Sequence, residues 1–158
     1  MKVRLFSRDD IAATLVIQEK NPQAAHWVAA DYARLAADPG GLILEAELET
    51  TDPPKLLGFA AFHRVADEAE LRNIAVDPEH QRRGVGKALL EEARKRLLGA
   101  GSKRVFLEVR ASNNPALGLY YSVGFALCLL RRNYYRDPPE DGCVLSLELF
   151  PPTVVSRL

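Results

Sequence analysis

Residues 71–90, LRNIAVDPEHQRRGVGKALL, constrain this chain more than any other stretch. The run opens apolar and β-prone, then breaks at Asp77-Pro78, because proline has no N–H to give a sheet ladder. A basic turn carrying Gly84 and Gly86 follows. From there Val85, Leu89, Ala93 and Leu97 recur at helical spacing and predict an amphipathic helix. Glu91/Lys95 and Glu92/Arg96 stand i,i+4 in the favourable order on its wet side. The unit is therefore strand, glycine turn, helix N-terminus. Such a terminus offers unpaired backbone N–H groups and the positive end of the helix dipole, which suits a phosphate or pyrophosphate. Gly84 and Gly86 bring no Cβ to hold a ligand away, and Arg82, Arg83 and Lys87 add positive charge. By spacing alone, the same glycines serve equally well as a tight strand-to-helix connection. Two better-known glycine motifs are excluded. A P-loop would need Gly at Gln81 and Ser or Thr at Ala88, and a dinucleotide fingerprint would need a third Gly at Leu89.

The remaining sequence reads as one α/β domain over residues 1–150 with a loose, proline-bearing tail over 151–158. Formal net charge is zero, so bulk electrostatics favours neither nucleic acid nor a membrane surface. Cys128 and Cys143 are too few for a disulfide framework, lack metal-ligand spacing, and are expected to be reduced and buried. The charged N-terminus has no signal-peptide core, and no apolar run reaches membrane-spanning length, so a soluble cytoplasmic protein is expected. A strand is predicted over 3–6. Ser7, with Asp10 three residues on, is an N-cap leading to helix 11–19, and a second helix covers 26–37. Strands follow over 42–48, 56–65 and 70–76, the last two as a hairpin, with Gly58 marking a bulge or close approach. After the central helix come strand 104–109 and a short helix opened by Asn113-Asn114-Pro115 and closed by Gly124. Strands 125–132 and 143–150 flank a polar, aromatic, acidic loop.

The turn at residues 81–86, QRRGVG, resembles the Q/R-x-x-G-x-G/A signature of the GCN5-related N-acetyltransferase (GNAT) superfamily, set as there between a strand and a helix. Residues 107–116 (LEVRASNNPA), 119–125 (LYYSVGF) and 131–135 (RRNYY) extend the likeness to the RimI-type ribosomal-protein-alanine N-acetyltransferases. The match is dense from about residue 69 to 145; before residue 60 it amounts to a strand–helix–helix pattern and Trp27. The resemblance implies the GNAT fold, a mixed and mostly antiparallel sheet of about seven strands flanked by about four helices. It implies acetyl-CoA as co-substrate without a metal, its pyrophosphate on Gln81, Arg82, Arg83, Gly84, Val85, Gly86 and Lys87. Ile74, Ala75 and Val76 on the preceding strand and Asn113 are implied as further coenzyme contacts.

By the same resemblance Glu108 is the general base and Tyr120 the general acid. Both roles are chemically apt, since an amine attacks a thioester only when neutral and the departing thiolate needs a proton. Read without the family, Glu108 is an exposed strand residue first and Tyr120 a core aromatic. Glu70 is a rival base, His63 a possible relay, and Trp27, Tyr134 and Tyr135 are candidate walls of a peptide groove, with Glu140 and Asp141 facing a cationic acceptor. The expected activity is acetyl transfer to a protein N-terminal α-amine, as of a small-subunit ribosomal protein, by a monomer or weak homodimer that touches neither nucleic acid nor membrane. A lysine, polyamine or small-molecule acceptor is one alternative, and a non-catalytic acetyl-CoA sensor another. Gly142-Cys143 and Gly118 depart from the family pattern near the acceptor side.

Overall fold

In the computed structural model, which describes residues 1–150, the central strand–turn–helix is built into a seven-stranded sheet. The chain runs β1 (Lys2–Leu5), α1 (Ile11–Glu19), α2 (Ala29–Ala37), β2 (Gly41–Leu48), β3 (Lys55–Val65), β4 (Glu68–Val76), α3 (Val85–Gly99), β5 (Arg104–Arg110), α4 (Asn114–Val123), β6 (Ala126–Arg136) and β7 (Pro139–Glu148). Sheet order is β1-β2-β3-β4-β5-β7-β6. Every pairing is antiparallel except β4 with β5, the crossover carried by α3. The mixed, mostly antiparallel seven-stranded sheet with four helices is the architecture expected.

The local signals explain most boundaries. Ser7 and Asp10 form the reciprocal capping box that launches a 3-10 turn into α1. At the end of α3, Gly101 (φ 93) donates to Leu98 O and Ser102 N donates to Leu97 O, the two bonds of a Schellman cap. Asn113 Oδ1 accepts from Ala116 N at 3.3 Å to start α4, and Gly124 (φ 112) ends it. Two helices cover each face. Val85, Leu89, Ala93 and Leu97 of α3 meet Leu107 and Leu145 on one side. Ile17 of α1 and Tyr32 of α2 meet Ile43, Phe59, Ala61 and Ala75 on the other.

Several expectations are corrected. Helix α2 begins at Ala29, three residues later than expected, with Asp31 Oδ2 accepting from Val28 N at 2.8 Å. Residues 133–142 are not a loop: β6 and β7 continue as a hairpin to Arg136↔Pro139. A bulge opposite Asp141 absorbs the irregular polar stretch, with Asn133 at φ 50 and its N–H donating to Asp141 Oδ1 at 2.8 Å. Cys143 is buried, but Cys128 is exposed on the edge strand β6. Glu91 pairs with Arg94 rather than Lys95, while the Glu92–Arg96 pair forms at 3.8 Å. The tail at 151–158 lies outside the described residues.

Candidate active site

The cleft exists because two parallel strands part. β4 and β5 pair only at Glu68↔Arg104, Ala69↔Val105 and Glu70↔Phe106. Beyond that point β4 runs on to Val76 and β5 to Arg110 without a shared register. A bulge in β4 helps to separate them. Leu71 pairs with Phe62 and Asn73 with Ala61, so Arg72 is the extra residue that bends the strand just past the last parallel pair. The parting opens a cavity of about 700 Å³.

Ile74, Ala75 and Val76 line one wall of this cleft, and Gln81, Arg82, Gly84, Val85, Gly86 and Lys87 form its end. Glu108, Asn113 and Tyr120 complete it, so the sequence-predicted residues converge, apart from Arg83, which is exposed and outside the lining. Among the described residues no side chain caps α3, whose N-cap is Gly84 at φ 83. Arg82 is also left-handed, at φ 63, an unfavourable conformation for a residue with a Cβ. The turn thus has left-handed residues at Arg82 and Gly84 before an uncapped helix start, whose free backbone N–H groups suit an anion. The two glycines serve different ends. A Cβ on Gly84 would meet nothing within 4 Å, so its requirement is conformational. A Cβ on Gly86 would stand 2.9 Å from Leu119 Cδ2, so a side chain there would press on the contact between α3 and α4. Asn113 spends its Oδ1 on the α4 cap, which leaves Nδ2 for a coenzyme.

Glu108 and Tyr120 reach the cleft from different layers. Val105, Leu107 and Val109 of β5 face the core with α3 and α4, so Glu108, alternating with them, faces the α1/α2 side. Its carboxylate lies 3.6 Å from Arg131 Nε, and its negative charge beside the Tyr134 hydroxyl holds that phenol above its ordinary range. Tyr120, on α4, is 5 % exposed and packs edge-on against Phe125 at 5.7 Å. Burial pushes its hydroxyl well above the usual tyrosine range, so it carries its proton at neutral pH.

Other candidates fall elsewhere. Glu70 belongs to the last zipped pair of β4 and β5 and lines a separate hollow of about 560 Å³ together with Glu68 and His63; Glu108 borders both spaces. His63 Nε2 lies 3.4 Å from Asp38 Oδ2. Tyr135 lines the cleft beneath Arg110, whose guanidinium sits 4.3 Å from its ring centroid, and Tyr134 lies beside Glu108. Trp27 does not wall the cleft; it packs edge-on against Tyr32 at 5.0 Å. Glu140 and Asp141 do not await a cation. Glu140 is bound to Arg110 Nη1 at 3.2 Å and Ser112 N at 2.9 Å, and Asp141 to Asn133 N. Gly142 leaves room for the rings of Tyr134 and Tyr135, which a Cβ would approach to 3.1 and 3.2 Å. Gly118 faces open space, and nothing in the structure explains it. The sequence reading missed the connection over residues 20–25, which lines the cleft on the β4 side.

Comparison with known proteins agrees with this geometry. Residues 8–125 match the acetyltransferase (GNAT) family. The [ribosomal protein bS18]-alanine N-acetyltransferase of Escherichia coli (strain K12) is 42% identical over 129 residues, covering 80% of this chain and 86% of the relative. Its counterpart in Salmonella typhimurium is 36% identical over 149 residues, covering 93% and 97%. The crystal structure of the ribosomal-protein-S18-alanine N-acetyltransferase from Escherichia coli superimposes with a TM-score of 0.80, at 33% identity and 99% coverage of both chains. With a sheet parted at β4 and β5 and an uncapped glycine turn at its end, the chain belongs to the GNAT acetyltransferases, enzymes that use acetyl-CoA as co-substrate.

Proposed function

We propose that this protein transfers acetyl from acetyl-CoA to the N-terminal α-amine of a protein, the acceptor being the N-terminal alanine of ribosomal protein bS18. The observation that carries this reading is a cleft open to both faces of the sheet, with Tyr120 on the α3/α4 side and Glu108 on the α1/α2 side, in a chain similar to bS18-alanine acetyltransferases over nearly its whole length. The coenzyme supplies an acetyl thioester. Its pyrophosphate lies on the N–H groups of residues 84–87, with Arg82 and Lys87 adding charge and Gln81 and Asn113 amide contacts. Glu108 takes a proton from the acceptor's ammonium, directly or through one water, so that the amine lone pair is free to attack. Backbone N–H groups on the edge of β4 that faces away from β3 steady the carbonyl oxygen as it gains charge. Tyr120 gives its proton to the sulfur as the carbon–sulfur bond breaks, and the second proton lost by the attacking nitrogen returns to the phenolate through water. Deprotonating an α-amine at pH 7 costs about 1 kcal/mol, against ~4–5 kcal/mol for a lysine, so a carboxylate base suits an N-terminus better.

The test is intact-mass acetylation of three acceptors with acetyl-CoA: an alanine-starting bS18 peptide, the same peptide N-blocked but carrying a free lysine, and spermidine. One added acetyl on the free-N-terminus peptide alone is expected. Modification confined to lysine or spermidine overturns the acceptor assignment. Coenzyme binding without any product favours a sensor.

A further inference from the structure

A buried polar residue on β4 ties the cleft's outer wall to the coenzyme strand. Asn73 is 4 % exposed and follows the Arg72 bulge. Its Oδ1 accepts from Ala25 N at 3.0 Å. Its Nδ2 donates to Tyr32 Oη at 3.1 Å and to Gln18 Oε1 at 3.3 Å. Gln18 in turn donates through Nε2 to Trp27 O at 2.8 Å. The connection between α1 and α2 is therefore held at Ala25 and Trp27 by one buried network anchored on β4. A buried amide that meets its hydrogen bonds in this way fixes geometry, because each unmade bond carries a desolvation cost. The connection matters because residues 20–25 line the cleft on the face that Glu108 looks toward, whereas the coenzyme turn and Tyr120 lie on the α3/α4 side. This connection and the Arg110/Tyr135 pair line the same cleft as Glu108.

We propose that Asn73 is a positioning residue for the acceptor: through Ala25 it holds the α1–α2 connection as the acceptor wall of the cleft. The inference rests on the acetyltransferase reading above, and it assigns Asn73 no part in proton transfer. A pre-formed wall spares the acceptor the entropy of ordering it, so loosening the wall weakens acceptor binding without slowing the bound complex.

The test is steady-state kinetics of the full chain with an alanine-starting bS18 peptide. Asn73→Leu should raise the peptide KM about tenfold or more, with kcat and the acetyl-CoA KM within about threefold of the starting protein. Asn73→Asp keeps an acceptor for Ala25 N–H and should return the peptide KM most of the way. An unchanged peptide KM in Asn73→Leu, or an equal rise in the acetyl-CoA KM, overturns the proposal. Hydrogen exchange decides the matter if the leucine variant does not fold or the peptide is not a substrate. The Ala25 amide of the unmodified protein should be protected, and free-chain exchange there overturns the inference. Failure of the unmodified protein to acetylate any peptide counts against the functional reading alone, since the Ala25 amide is read without turnover.

Discussion

Two side chains carry the proposed proton transfers, and their surroundings differ as the two jobs require. Glu108 keeps a third of its side chain exposed to water, beside a guanidinium and a phenol. Tyr120 is almost wholly enclosed and keeps its proton to high pH. Glu108→Gln preserves size beside Arg131 and removes the charge, and Tyr120→Phe preserves the packing on Phe125. Each is expected to cut kcat by about 10²-fold or more while acetyl-CoA affinity, measured by calorimetry, stays within about twofold. Turnover near that of the unmodified protein in both variants would remove the assigned roles. Neither residue declares itself by type. A glutamate alternating with valine and leucine on a strand, and a tyrosine on an apolar helix face, are ordinary occupants of such positions, so only the family likeness picked them out. Asn73, the one amide of β4, could not be recognised from the sequence, because its partners Ala25, Gln18 and Tyr32 lie 41 to 55 residues away.

At the scale of elements, the strand–turn–helix at residues 71–99 was legible because its signals are local: proline after the strand, glycine at the turn, four-residue apolar spacing in the helix. The far end of the β6–β7 hairpin was not. Residues 133–142 carry the composition of a loop, and only pairing across the hairpin, with the Asn133 bulge and internal partners for Glu140 and Asp141, makes them strand. The parting of β4 and β5 was also hidden, since it depends on register rather than composition. The two glycines of the turn separate experimentally. Gly84→Ala forces a Cβ into φ 83, at a cost of roughly 1–2 kcal/mol, which the turn relieves by leaving its ligand-binding shape. Acetyl-CoA affinity should fall about tenfold. Gly86→Val instead drives bulk into Leu119 and should cost about 1–3 kcal/mol of stability, seen as a melting temperature lower by several degrees. An alanine at position 84 that binds acetyl-CoA as tightly as glycine would count against the pyrophosphate site.

For the molecule as a whole, one carboxyl remote from the cleft ties stability to pH between 4.5 and about 8. Glu45 on β2 is fully enclosed beneath α1, where Oε1 accepts from Thr14 Oγ1 at 2.8 Å and Oε2 has no partner among the described residues. Burial pushes its pKa up to about 8 from an ordinary 4.5, with Thr14 and Arg4 opposing and Asp10 reinforcing the shift. The nearby Arg4 guanidinium is already engaged by Asp10 and Glu47, at 2.8 Å each, and the Glu45 charge adds to burial in raising the Tyr32 phenol on α2. The folded state therefore holds a proton that the unfolded chain has released above pH 4.5. Stability from this group is complete below that pH and drains away as pH rises toward 8, by an amount on the order of 5 kcal/mol at 1.36 kcal/mol per pKa unit. Glu45→Gln keeps the acceptor for Thr14 and cannot ionise. Its melting temperature should change little between pH 5 and 8, whereas that of the unmodified protein should fall steadily over the same range. Parallel slopes for the two proteins in thermal melts would show that Glu45 is not the group responsible. Acetyl transfer needs a neutral amine, so it gains from alkaline conditions while the sheet under α1 loses stability in them; in the glutamine variant the activity gained between pH 7 and 8 should persist at temperatures where the unmodified protein has begun to unfold.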